Sequence, residues 1–252
     1  RYIFIGDPDQ LPPIFTAKLP EQFQRSIFEH LEGDGENMTM LMTTYRMNST
    51  LTAWPSEKFY GRDLISAFPD RELQLKQEPR RLKKVVNPRE PLIFWEQPHM
   101  NQSVKSAKEA EAAVELIQVF LEAGVPAAEI GVVVPFRAQG RLIRNLLRRH
   151  VQTADRQQIV VDTVERMQGQ EREVVILSLT TSNTAFAAEM AEFLFQPQRL
   201  NVAVTRPRSK LVIIGSGQLR KTEPIESHLQ ENVQLLDDLL ASCAKVFGIN
   251  HG

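Results

Sequence analysis

Four short polar segments carry the residue types that could do chemistry. Residues 6–13 read GDPDQLPP and set a glycine, two carboxylates, the amide of Gln10 and a proline pair directly after an apolar run. Read alone this is a tight polar loop, and a surface turn accounts for it equally well. Residues 41–61 read LMTTYRMNSTLTAWPSEKFYG. There Tyr45 offers an aromatic face that could stack on a planar ligand, and Arg46 a planar fork that suits phosphate oxygens; a packed tyrosine beside a solvated arginine is the alternative. In residues 163–180, TVERMQGQEREVVILSLT, a polar loop feeds straight into an apolar run. Gly169 permits a tight backbone turn there, and Gln168 and Glu171 flank it with hydrogen-bonding groups. Residues 198–215, QRLNVAVTRPRSKLVIIG, place Arg206 just ahead of the next apolar run. Taken singly it could equally be a surface charge.

A fifth segment, GVVVPFRAQ at 131–139, opens a helical pattern in which Arg137, Arg141, Arg144 and Arg148 fall along one face. Leu142, Ile143, Leu146 and Leu147 cover the other. Such a basic stripe is most often solvated; the alternative is a track for nucleic-acid phosphates, with Arg137 nearest the strand end.

These loops need a frame, and the apolar runs supply it. Runs at 2–5, 91–95, 130–134, 158–161, 173–179 and 211–215 read as buried strands, and the patterns at 103–123, 137–150, 186–206 and 226–247 as helices. The alternation predicts an α/β fold, a mostly parallel sheet with helices on both faces. Ligands of such folds collect at the carboxyl ends of the strands, so the chemistry is expected there. Residues 69–90, with three prolines and many charges, read as an exposed excursion.

Composition sets the bounds. The chain has 252 residues, 42% of them hydrophobic, enough for one large core. With 30 basic and 31 acidic residues, binding to nucleic acid must come from local patches. The single cysteine, Cys243, excludes an internal disulfide and a cysteine-cluster zinc site and fits a reducing intracellular compartment, cytoplasm or nucleus/nucleoid. The five histidines have no ligand spacing, so no metal site is expected. No apolar stretch approaches the ~20 residues that span a bilayer, and a soluble protein without a membrane partner is expected. The opening RYIFIG, an apolar strand signal without a starting Met, reads as a severed edge of something longer.

In this order the segments resemble the motifs of superfamily 1 helicases, most of all the 1B branch that includes nonsense-mediated-decay helicases and replication helicase-nucleases. The resemblance spans residues 2–215 and implies a RecA-like, P-loop NTPase-type fold. Residues 1–30 would be the trailing edge of a first RecA-like domain with motif III and a connector, and 31–252 the second RecA-like domain. On the matching positions the resemblance implies that Gln10 senses the γ-phosphate, Tyr45 stacks on the nucleotide base and Arg46 meets phosphate. Thr163 would face a nucleic-acid phosphate, Glu171 would accept from the ribose beside the Gly169 turn, and Arg206 would be the arginine finger. Arg137 and Asn183 would contact the nucleic-acid strand.

The pattern departs from the family at Thr44, Asn48, Ser49, Phe136, Glu165, Thr181 and Pro207; the last is expected to end its helix at Arg206 and re-aim the finger. The implied cofactor is ATP with Mg²⁺, held mainly by the first domain, and the implied partners are that domain and single-stranded DNA or RNA. No G-x-x-x-x-G-K-S/T loop and no Asp-Glu pair before GDPDQ occur, so this chain alone is expected to be inactive as an ATPase. A non-catalytic nucleic-acid-binding or scaffold module with a degenerate helicase fold is the alternative. An unrelated doubly wound nucleotide enzyme fits less well, because no G-x-G-x-x-G follows a strand.

Overall fold

The computed structural model describes residues 2–12, 26–28 and 39–248, so most of the expected connector before residue 30 lies outside the described residues. Among the described residues, eight strands form two parallel sheets. The small one pairs β1 (Thr43–Thr44) with β2 (Ile65–Ser66). The large one contains β3 (Leu92–Glu96), β4 (Ile130–Val134), β5 (Val160–Thr163), β6 (Arg172–Ser178), β7 (Pro207–Gly215) and β8 (Ala244–Phe247). Its order is β5-β4-β6-β7-β3-β8, parallel throughout. The expected α/β class is therefore observed.

Burial follows strand periodicity, because successive side chains point to opposite faces. Ile93, Trp95, Val132, Val134, Val174, Ile176, Val212 and Ile214 face one core. Phe94, Val133, Val175, Leu177, Leu211 and Ile213 face the other. The first face is covered by α2 (Ala107–Glu122) and α3 (Arg137–His150), the second by α1 (Ser49–Phe59), α4 (Val164–Met167), α5 (Thr184–Glu189), α6 (Pro197–Val204) and α7 (Gln230–Ser242). Strands buried on both faces read as unbroken apolar runs, which is why IGVVV and VVILS are so plain in the sequence.

Four expectations need correction. The run 2–5 is not a strand: Tyr2, Ile3, Phe4 and Ile5 are exposed, because a strand exists only by pairing and no described strand lies beside it. The single helix expected over 186–206 is three pieces, α5, a four-residue helix at Ala191–Leu194 and α6, the last restarting at Pro197. The helix expected to 247 ends at Ser242, and Ala244–Phe247 adds a strand to the sheet edge beside β3. Helix α6 stops at Val204, before Arg206, and Pro207 already belongs to β7. The 69–90 excursion runs over the surface, pinned by buried Leu73, Leu82, Val85 and Val86.

Candidate functional site

The residues singled out divide between the two edges of the sheet. Arg172 pairs with Pro207 where β6 and β7 begin, so Glu171 and Arg206 stand together at the amino edge. Val134 pairs with Thr163, and Val133 with Leu177, so Thr163 lies at the carboxyl edge. Arg137 and Asn183 follow the carboxyl ends of β4 and β6 there. The expectation that all the chemistry gathers at the carboxyl ends is thus corrected. Glu171, at the end of the 163–171 loop, and Arg206 both lie on the way into a strand, and in a parallel sheet a segment entering a strand is on the opposite edge from one leaving it.

At the amino edge the side chains converge. Arg206 is only 2% exposed. Its Nε donates to the Val202 carbonyl at 2.8 Å and its Nη2 to Thr205 Oγ1 at 2.8 Å. Longer bonds run from Nη1 to the Gln170 carbonyl at 3.3 Å and from Nη2 to Gln10 Oε1 at 3.4 Å. Every one of these acceptors is neutral. Burial, and the nearby Arg46 cation, push the Arg206 guanidinium down to about 10. Arg46 donates from Nε to Glu171 Oε2 at 2.8 Å and from Nη1 to the Thr205 carbonyl at 2.9 Å. The Arg46 hydrogen bond holds the Glu171 carboxyl below its ordinary range, helped by Arg208, whose Nη1 lies 3.2 Å from Glu171 Oε1.

The GDPDQ loop closes over this cluster, although Gln10 and Arg206 are 196 positions apart in sequence. Gln10 Nε2 donates to Asp7 Oδ2 at 2.7 Å, and Asn201 Nδ2 to the Asp9 carbonyl at 2.9 Å. The Tyr60 hydroxyl donates to Asp7 Oδ2 at 2.7 Å and accepts from Asn201 Nδ2 at 2.8 Å. Burial raises the Tyr60 hydroxyl well above its ordinary value, so it stays a neutral donor. Asn48 holds the preceding segment to the start of β7: its N–H donates to the Arg208 carbonyl and its side chain to the Ser209 carbonyl at 3.1 Å. The same side chain caps α1 by accepting from Leu51 N–H at 2.9 Å, a role open to Asn as to Ser or Asp.

Tyr45, beside Arg46, is 72% exposed, with its ring plane at 73° to that of Phe68 and centroids 6.2 Å apart. Gly169 has φ +78°, and a Cβ there would meet nothing within 4 Å, so the turn is open to solvent. Arg208, Tyr60 and Asn201 went unnoticed in the sequence. The available signals were weak: Arg208 stands two residues past Arg206, where a strand returns to the same face, and Tyr60 and Asn201 sit inside motifs whose other residues drew attention.

At the carboxyl edge, Thr163 is buried, and the Glu165 carboxylate two residues on pairs with Arg199. Asn183 Oδ1 accepts from Phe186 N–H at 3.0 Å and caps α5. Arg137 is exposed at the first turn of α3. Beneath them lies a buried polar network. Glu109 Oε2 accepts from the Ser178 hydroxyl and from Thr180 N–H, both at 2.7 Å, and Glu109 Oε1 is 2.7 Å from His99 Nε2. Thr180, at φ +69°, is held in that unusual conformation by this carboxylate.

A family model described as AAA domain matches residues 23–218. The chain belongs to this AAA-domain family. The AAA-domain chain is 29% identical to a probable helicase of Dictyostelium discoideum, over 94% of its own length and 24% of that protein. It is 28% identical to the DNA replication ATP-dependent helicase/nuclease DNA2 of Homo sapiens, over 94% of its length and 25% of that protein. It is 29% identical to regulator of nonsense transcripts 1 of Dictyostelium discoideum, over 96% of its length and 19% of that protein. The chain therefore spans a fifth to a quarter of the length of these relatives. The resemblance of its motifs to superfamily 1B helicases is borne out over most of the chain. Among solved structures it is similar to the C-terminal domain of a possible DNA helicase from Lactobacillus plantarum, with a TM-score of 0.42 and 12% identity over 81% of this chain and 98% of that one. Among the described residues, no helix of this AAA-domain chain is long and apolar enough to cross a membrane.

Proposed function

We propose that this chain is the second motor lobe of an ATP-dependent helicase, in which the amino edge of the sheet completes a triphosphate pocket and the carboxyl edge holds a single nucleic-acid strand. The observation that carries this reading is the meeting of Gln10, Arg46, Glu171 and Arg206 at one edge. Arg46 and Arg208 are paired with Glu171, Glu129 and Glu173, whereas the buried Arg206 is held by neutral acceptors alone and is the guanidinium free to trade them for an anion. That donor set fits the terminal phosphate of a nucleotide.

ATP, when bound, supplies the phosphoryl transfer that drives the motor. In this reading Arg206 exchanges its long bonds to Gln10 and the Gln170 carbonyl for phosphate oxygens and acts as the arginine finger. Gln10 is the sensor, Arg46 a second anion donor, and Tyr45 an exposed stacking face for the base. Glu171 orients Arg46 and stands where a sugar hydroxyl would reach it. Gly169 leaves room for the sugar, and Mg²⁺ would be held by the first lobe. The exposed apolar run 2–5 is a surface that such a lobe would cover. Segment 163–171 runs from one edge to the other, so Thr163 at the strand side and Glu171 at the nucleotide side are ends of one short connection.

The test is Arg206→Ala in the native polypeptide that carries this sequence. Nucleic-acid-stimulated ATP turnover is expected to fall by about 10³-fold or more, with ATP binding retained. Unchanged turnover would reject the finger. One observation favours a non-catalytic module, the burial of Arg206; retained strand binding with no turnover in the wild type would establish that alternative.

A further inference from the structure

Helix α3 carries five arginines, Arg137, Arg141, Arg144, Arg148 and Arg149, and no acidic residue. No carboxylate of the described residues forms an ion pair with any of the five. In a chain whose charges nearly cancel, this is a concentrated and uncompensated patch. Ile143 and Leu147 bury the inner face of the helix, and Arg144 is spent on the Val161 carbonyl at 2.5 Å. The outward face is left to Arg137, Arg141, Asn145, Arg148 and Arg149, all exposed.

The placement gives the patch a direction. Arg137 stands in the first turn, where a cation opposes the helix dipole and is tolerated best if an anion sits nearby. From there α3 runs back along the sheet beside β5, so Arg141 and Arg148 continue a line that begins at the carboxyl edge. At 1.5 Å per residue, Arg137 to Arg148 covers ~17 Å. That is room for several phosphates of one strand. Arg156 donates to the Arg148 carbonyl at 3.3 Å and adds a further cation at the far end.

We infer that α3 is a second phosphate-binding track, which takes the nucleic-acid strand after it leaves the carboxyl edge and leads it down the outer face of the domain. The inference rests on the proposed strand-binding edge. Its ligand is a sugar-phosphate backbone without base preference, since the exposed face offers cations and one amide but no aromatic platform.

The test is a length series of fluorescein-labelled oligothymidylates titrated against the wild-type chain and Arg141→Gln/Arg148→Gln, with Arg141→Lys/Arg148→Lys as the charge-conserving control. Both positions are exposed, and circular dichroism verifies that the fold is kept. Short strands held by the edge alone should bind all three proteins equally. For long strands, the neutral variant should lose about two phosphate contacts, which lowers the salt slope by roughly 1.4. Wild-type affinity should then fall about sevenfold more than the variant's between 50 and 200 mM salt, and the lysine variant should behave as wild type. Equal loss for short and long strands, or no loss with long ones, overturns the track while leaving the edge in place. Binding of no strand at any length overturns both. Equal competition by polyglutamate at matched charge would make the helix a docking face for acidic proteins and also overturn the inference.

Discussion

Lys210 lies two residues beyond Arg208 in β7, fully buried, with Nζ donating to the carbonyls of Asn87 at 2.9 Å and Glu90 at 2.6 Å. Burial pushes its ammonium from 10.5 down to about 7, with Glu90 opposing. Between those two values the unfolded chain holds a proton that the folded chain lacks, so stability rises with pH across that window. The slope is about 1.4 kcal/mol per pH unit, and the whole window is worth about 5 kcal/mol. Below pH 7 both states are protonated and the contribution is flat at its lowest. Lys210→Met removes the slope and takes one donor from each of two carbonyls, of which that of Asn87 keeps the Glu90 N–H. From pH 7 to pH 9 the methionine variant should therefore lose about 3 kcal/mol relative to wild type. Urea unfolding of both at half-unit steps from pH 6.5 to 9 measures this. Cys243, whose thiol burial pushes up to about 12, bends both curves the other way at high pH and cancels in the difference. A difference between the two proteins that does not change with pH would refute the reasoning.

Other outcomes test the two edges. Asn183→Ala should cost about 1 kcal/mol through the lost cap of α5, and Asn183→Asp should keep the stability; if strand affinity falls in both, the residue also binds the strand. Gly169→Ala should cost about 1 kcal/mol because its φ of +78° is strained for a side chain, although space is free. Thermal unfolding and nucleotide binding read that variant, and an unchanged melting point would count against it. The Glu171 carboxyl, held low by Arg46, should titrate below its ordinary value of 4.5. Its contribution is present above that pH and is lost as pH falls through the lower folded value; a carbon-detected titration with a midpoint at or above 4.5 would contradict the pairing.

The apolar runs at 91–95, 130–134, 173–179 and 211–215 fixed four central strands within a few residues, because strands buried on both faces admit no polar interruption. Periodicity likewise located α2 and α3. It failed where pairing or local geometry decides: residues 2–5 have strand composition without a neighbour, Ala244–Phe247 followed a helical pattern until β3 offered an edge, and Pro197 restarted a helix that composition ran together. The site shows the same division. Motif order named Gln10, Arg46, Glu171 and Arg206 because the residue types suit anions and polar hydroxyls. Which edge they occupy depends on whether a segment enters or leaves its strand, and the burial of Arg206 under a loop 196 positions earlier depends on chain crossings. Side-chain chemistry is written residue by residue, whereas proximity, burial and charge compensation belong to the packed whole, and those three physical quantities were decided only by the tertiary structure.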